Sequence, residues 1–111
     1  NLHINDEEKL IPANGVYAVK VKGACTNHEI LDGMMNIGIR PTVDGQKKVI
    51  EVNIFNFDQD IYEQFITVMV YEFIRGEVKF DGLDALKNQL HQDKITASAI
   101  LAKLRSYLLN K

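Results

Sequence analysis

Glu51 is the residue whose type and setting packing explains least. It falls inside Lys48–Phe57, where alternation puts Ile50, Val52 and Ile54 on one face of a strand. The other face carries Val49, Glu51, Asn53, Phe55 and Phe57. A carboxylate among such neighbours needs a partner or a purpose, since an unpaired buried charge costs several kcal/mol. Either the face meets solvent or Glu51 pairs with a lysine such as Lys20 or Lys22, or Glu51 is a general base in a partly dry cleft, tuned by desolvation and a nearby metal. Asn36-Ile37-Gly38-Ile39-Arg40-Pro41-Thr42 is a second candidate. There Gly38 allows a close backbone approach and Arg40 an anion contact, although a strand ending in a Pro turn accounts for the same residues. The third is Arg75-Gly76-Glu77-Val78-Lys79-Phe80-Asp81, a loop leading into a helix N-terminus, where anions can bind. Met34, Met35 and Met69 read as core filling.

Other chemistries find no support. Phosphate-loop, dinucleotide, nucleophile-elbow and zinc-protease motifs are all missing. Thirteen basic and fifteen acidic residues give a net charge of -2, without the basic excess of a nucleic-acid binder. No apolar run reaches the roughly 18 residues of a membrane span, and the polar Asn1–Lys9 stretch is not a secretory signal. Cys25 stands alone, which excludes an internal disulfide and suits a reducing, cytoplasmic compartment. The three scattered histidines make no zinc site.

The elements that must position these residues follow from periodicity. A polar start ends in the turn Pro12-Ala13-Asn14-Gly15. Strands are expected over 15–22, 30–39, 48–57 and 65–74, with a loop from Arg40 to Lys48 and a turn from Asp58 to Tyr62. Asp81 reads as an N-cap, with Asp84 three residues on. Leu83, Leu86 and Leu90, then Ile100, Leu101, Leu104 and Leu108, mark helical faces. They belong either to two helices broken near Gln92–Lys94 or to one bent helix. Strands first and helices last exclude a doubly wound fold and suggest an antiparallel barrel or sandwich with helices on one side. One domain is expected over residues 1–111, with a barrel over about 1–80 and a helical region over about 82–110.

Four stretches in register closely resemble the riboflavin kinase domain, which occurs alone or as the C-terminal half of bifunctional riboflavin kinase/FAD synthetases. They are Gly15–Val19, Gly33–Thr42, Glu51–Tyr62 and Ile74–Leu86. The resemblance implies a mainly β fold, a six-stranded antiparallel Greek-key barrel with C-terminal helices, here without its first strand. It implies transfer of the γ-phosphoryl of ATP to the ribityl 5′-hydroxyl of riboflavin, giving FMN and ADP, with Mg²⁺ as cofactor. By the same resemblance Glu51 is the catalytic base, and Asn1 ends a Pro-Thr-Ala-Asn metal motif and so touches metal and ATP. Tyr62 lies toward the adenine, and Arg75, Val78, Phe80, Leu83 and Leu86 belong to the flavin side. An adenylyltransferase domain is the implied N-terminal partner in a longer chain.

The sequence departs from the family pattern at Asn53, Glu63 and Gly82, and it opens at Asn1, without the glycine-rich flap and the upstream part of the metal motif. A non-catalytic flavin-binding barrel is therefore the alternative expectation. A single-stranded nucleic-acid barrel is disfavoured, because the aromatics of Lys48–Phe57 stand beside an acid rather than among bases.

Overall fold

A computed structural model of the chain describes residues 2–4, 12–23, 30–57 and 66–109. It contains strands β1 (Leu2–Ile4), β2 (Gly15–Lys22), β3 (Ile30–Thr42), β4 (Gly45–Ile54) and β5 (Thr67–Arg75), then helix α1 (Leu83–Leu109). All strand pairs are antiparallel, in the order β1-β4-β3-β2-β5. Strands β2, β3 and β4 are sequential neighbours and β5 returns beside β2, which is a Greek key. The mainly β, Greek-key architecture with a C-terminal helix is borne out. Among the described residues the sheet remains open at β1 and β5.

Alternation divides the sheet into two apolar faces. Tyr17, Val19, Val21, Met35, Ile37, Ile50, Val52 and Ile54 form the main core on one side. On the other, Ala18 and Phe55 pack with Ala97 and Leu101 of α1. Strand β4 is thus buried on its Ile50, Val52 and Ile54 face, while on the other face Val49 and Glu51 are half-buried and Asn53 is exposed.

Several expectations need correction. Arg40–Lys48 is not a loop: β3 and β4 run on until Thr42 pairs with Gly45 across a two-residue turn. Val43 and Asp44 form the turn, and Gly45 just after it takes the positive φ of 140° that glycine tolerates. The polar opening contains β1, a three-residue strand defined by pairing with β4 rather than by its own periodicity. Phe57 does not share the Glu51 face. Strand β4 ends at Ile54, Asn56 adopts φ 56°, and Phe57 packs against the main core instead. Asp81 is not the N-cap, because the Leu86 N–H bonds to the Gly82 carbonyl at 3.2 Å, making Gly82 the capping residue. The helical region is one continuous helix with no break at Gln92–Lys94. The expected turn at Asp58–Tyr62 lies outside the described residues.

Candidate functional site

Strand register builds one row across the sheet that sets Asn36 and Glu51 side by side. Val16 of β2 pairs with Asn36 of β3, Asn36 with Glu51 of β4, and Glu51 with His3 of β1. At the other end Val16 pairs with Arg75 of β5. Residues directly opposite in a ladder share a face, so Asn36 and Glu51 stand side by side on the face that α1 covers. A register shift between Val16 and Tyr17 sets the row's far end. It lets successive residues serve the same face: Ile74 packs against the Ala18–Leu101 cluster and Arg75 reaches Asp93 on α1.

Sheet and helix enclose a cavity of about 330 Å³ around this row. Val16, Met34, Asn36 and Glu51 line it from the strands, Leu86 and Leu90 from the helix, and Arg40 and Asn53 complete its wall. The Glu51 side chain is 26% exposed, and its Oε1 accepts a hydrogen bond from Arg40 Nη2 at 3.2 Å. Its partner is thus Arg40 rather than Lys20 or Lys22, and Lys20 is occupied by Asp32 at 2.6 Å. Arg40 also donates through Nη1 to Glu77 Oε1 at 3.0 Å and to the Ile39 carbonyl at 3.1 Å. The same Glu77 oxygen accepts the Ile39 N–H at 3.2 Å, so the segment after β5 is fastened beside the carboxylate of Glu51.

The remaining expected site residues scatter around this centre. Leu86 lines the Glu51 cavity, but Leu83 is 64% exposed. Val78 lines a separate cleft that shares Arg40 with the first. Phe80 lies under the Arg75 guanidinium, 5.7 Å from ring centroid to Cζ. Arg75 is held by Asp93, with three contacts of 2.7 to 3.0 Å, and by the Gly76 carbonyl. Asn1 and Tyr62 fall outside the described residues.

Sequence reasoning missed Asp93, although a signal was present. It occupies the apolar stripe of α1 between Leu90 and Ala97, at spacings of three and four, and is 2% exposed. The polar interruption that suggested a helix break is a buried carboxylate matched to Arg75. Asn36 was also missed as an individual residue, although it alternates with Met34 and Gly38 on the same face of β3.

A family model described as flavokinase, riboflavin kinase, matches residues 1–101. The chain belongs to the riboflavin kinase family. It is 44% identical over 88 residues to a bifunctional riboflavin kinase/FMN adenylyltransferase of Haemophilus influenzae, covering 79% of this chain and 28% of that one. A Bacillus subtilis protein of the same description is 38% identical over 99 residues, covering 86% and 30%. The crystal structure of a macrolide-efflux protein from Streptococcus pneumoniae superposes with a TM-score of 0.69 at 37% identity, over 80% of this chain and 28% of that one. The chain thus spans under a third of the length of these relatives. Among the described residues, no helix is long and apolar enough to cross a membrane.

Proposed function

We propose that this riboflavin kinase family chain phosphorylates riboflavin, moving the γ-phosphoryl of ATP to the ribityl 5′-hydroxyl and releasing FMN and ADP. One observation carries the reading beside the family match: Glu51, a half-buried carboxylate, lines a cavity between sheet and helix. A primary alcohol is a poor nucleophile at neutral pH, and a positioned carboxylate accepts its proton as the bond to phosphorus forms. Arg40 orients that carboxylate through the contact at 3.2 Å. The apolar walls of Val16, Met34, Leu86 and Leu90 suit an organic substrate and exclude water from the reacting hydroxyl.

A divalent ion, which we take to be Mg²⁺, would supply charge neutralisation for the nucleotide phosphates. No cluster of three His, Cys, Asp or Glu residues able to hold a metal occurs among the described residues. Mg²⁺ bound to a nucleotide needs only one or two protein oxygens, and the side-chain oxygen of Asn1 is the donor we assign to it. Tyr62 remains assigned to the adenine, and Arg75, Val78, Phe80, Leu83 and Leu86 to the flavin side, with Leu86 supported by its place on the cavity wall. The relatives' description leads us to propose an FMN adenylyltransferase domain in the same protein. The lone Cys25 supports a cytoplasmic setting.

The test is FMN formation by the full-length protein carrying this chain, with riboflavin, ATP and Mg²⁺. Glu51→Gln is expected to lower kcat about 10²- to 10⁴-fold, with KM for riboflavin nearly unchanged. A Glu51→Gln enzyme as active as wild type overturns the assignment of the base.

A further inference from the structure

Asn36 Oδ1 is a buried side-chain oxygen with no hydrogen-bond partner. Buried polar atoms are nearly always satisfied, and an exception calls for a reason. The reason lies in its position. Asn36 is the direct cross-strand neighbour of Glu51 and lines the same cavity. Neither ladder neighbour satisfies it: Val16 has an apolar side chain, and Glu51 engages Arg40.

We propose that Asn36 is the residue that reads the polyol tail of the substrate, its Oδ1 accepting a hydrogen bond from a hydroxyl of the ribityl chain. This rests on the riboflavin kinase reading and deepens it. A hydroxyl next to the reacting one is the donor that a chain approaching Glu51 would bring to the adjacent position of the row. An amide oxygen also suits a metal, but the surroundings favour a neutral organic group. The nearest carboxylate already carries the Arg40 guanidinium, and the walls of Val16, Met34 and Leu86 are apolar. Such walls offer little to a hydrated cation, whereas the carbon backbone of a polyol can rest on them with one hydroxyl turned to Asn36.

The arrangement makes Asn36 a specificity-determining residue whose cost is borne by the free protein. Replacing an amide whose buried oxygen is unsatisfied by an apolar group of similar size is neutral or stabilising, whereas losing a made hydrogen bond weakens binding. Asn36→Leu is therefore expected to keep or raise the melting temperature while weakening ligand binding. These two effects would run together if Asn36 were merely structural.

The experiment titrates the full-length protein with riboflavin and with lumiflavin, which keeps the ring and lacks the ribityl chain, following flavin fluorescence. Asn36→Leu and Asn36→Ala are each expected to weaken riboflavin binding by about 10-fold or more. Lumiflavin affinity should stay within about twofold, and KM for ATP and the Mg²⁺ requirement should not move. Equal loss for both flavins, an unchanged riboflavin affinity, a changed Mg²⁺ requirement, or a lower melting temperature for Asn36→Leu overturns the proposal. Wild-type protein that fails to bind riboflavin sinks the kinase reading itself, and that control is separate from the variant pattern.

Discussion

The Arg75 guanidinium lies against both carboxylate oxygens of Asp93, with Nε 2.9 and 3.0 Å and Nη2 2.7 Å away. The pair joins the last residue of β5 to the middle of α1. Gln89 Nε2 adds a third donor at 3.0 Å. With Asp93 2% exposed and the Arg75 side chain 18% exposed, the two partners respond differently to loss of the other. Arg75→Met strands a buried carboxylate and is expected to cost about 3–5 kcal/mol. Asp93→Asn leaves a guanidinium that can turn toward water, so it should cost clearly less. Urea denaturation of both variants measures the asymmetry, and equal costs would contradict it.

The Arg40–Glu77 contact predicts a different outcome, because both side chains are about one-third exposed. Exposed ion pairs contribute about 0–1 kcal/mol, so Glu77→Ala should barely change global stability. It does remove the acceptor of the Ile39 N–H. Hydrogen exchange should therefore accelerate at Ile39 and along the 76–80 segment, with the urea midpoint unmoved.

Two glycines on β3 offer a matched pair. A Cβ on Gly33 would sit 2.6 Å from the Asn53 carbonyl oxygen, so the β3–β4 backbone must shift. A Cβ on Gly38 would strike the Glu77 carboxylate and Arg40 Nη1, which are ends of flexible side chains. Gly33→Ala is expected to cost about 1–3 kcal/mol through overpacking. Gly38→Ala should cost less and act instead by displacing the Glu77 tether, visible as faster exchange in the same segment.

Docking of the helix depends on Leu101, which is fully buried against Ala18 and Phe55. Leu101→Ala is expected to lose about 2–5 kcal/mol. Because Leu86 and Leu90 on the same helix line the Glu51 cavity, a weakened dock should also raise KM for riboflavin. Thermal melts and steady-state kinetics on one preparation test both effects.

What could be read in the sequence was local or carried by family motifs. Alternation in Lys48–Phe57 revealed Glu51 as an acid inside a strand, and the leucine spacing after Gly82 revealed a helical face. Four motif stretches in order identified the family and hence the Greek-key arrangement. Errors came where local signals were short or ambiguous. The three residues of β1 have too little periodicity to announce a strand, and Pro41 made a strand end look like a loop although β3 pairs through it.

Tertiary structure decided the identity of the partners. Arg40 holds Glu51 across 11 residues of chain, and Arg75 meets Asp93 across 18. Neither pairing is written in a period of two or 3.6. Each depends on strand register and on where the helix docks, which fix distances between residues that are remote in the chain. The same register set Asn36 beside Glu51 with its Oδ1 unpaired. Side-chain type can reveal that a carboxylate needs a reason, but only the packed sheet and helix determine which groups stand close enough to supply one.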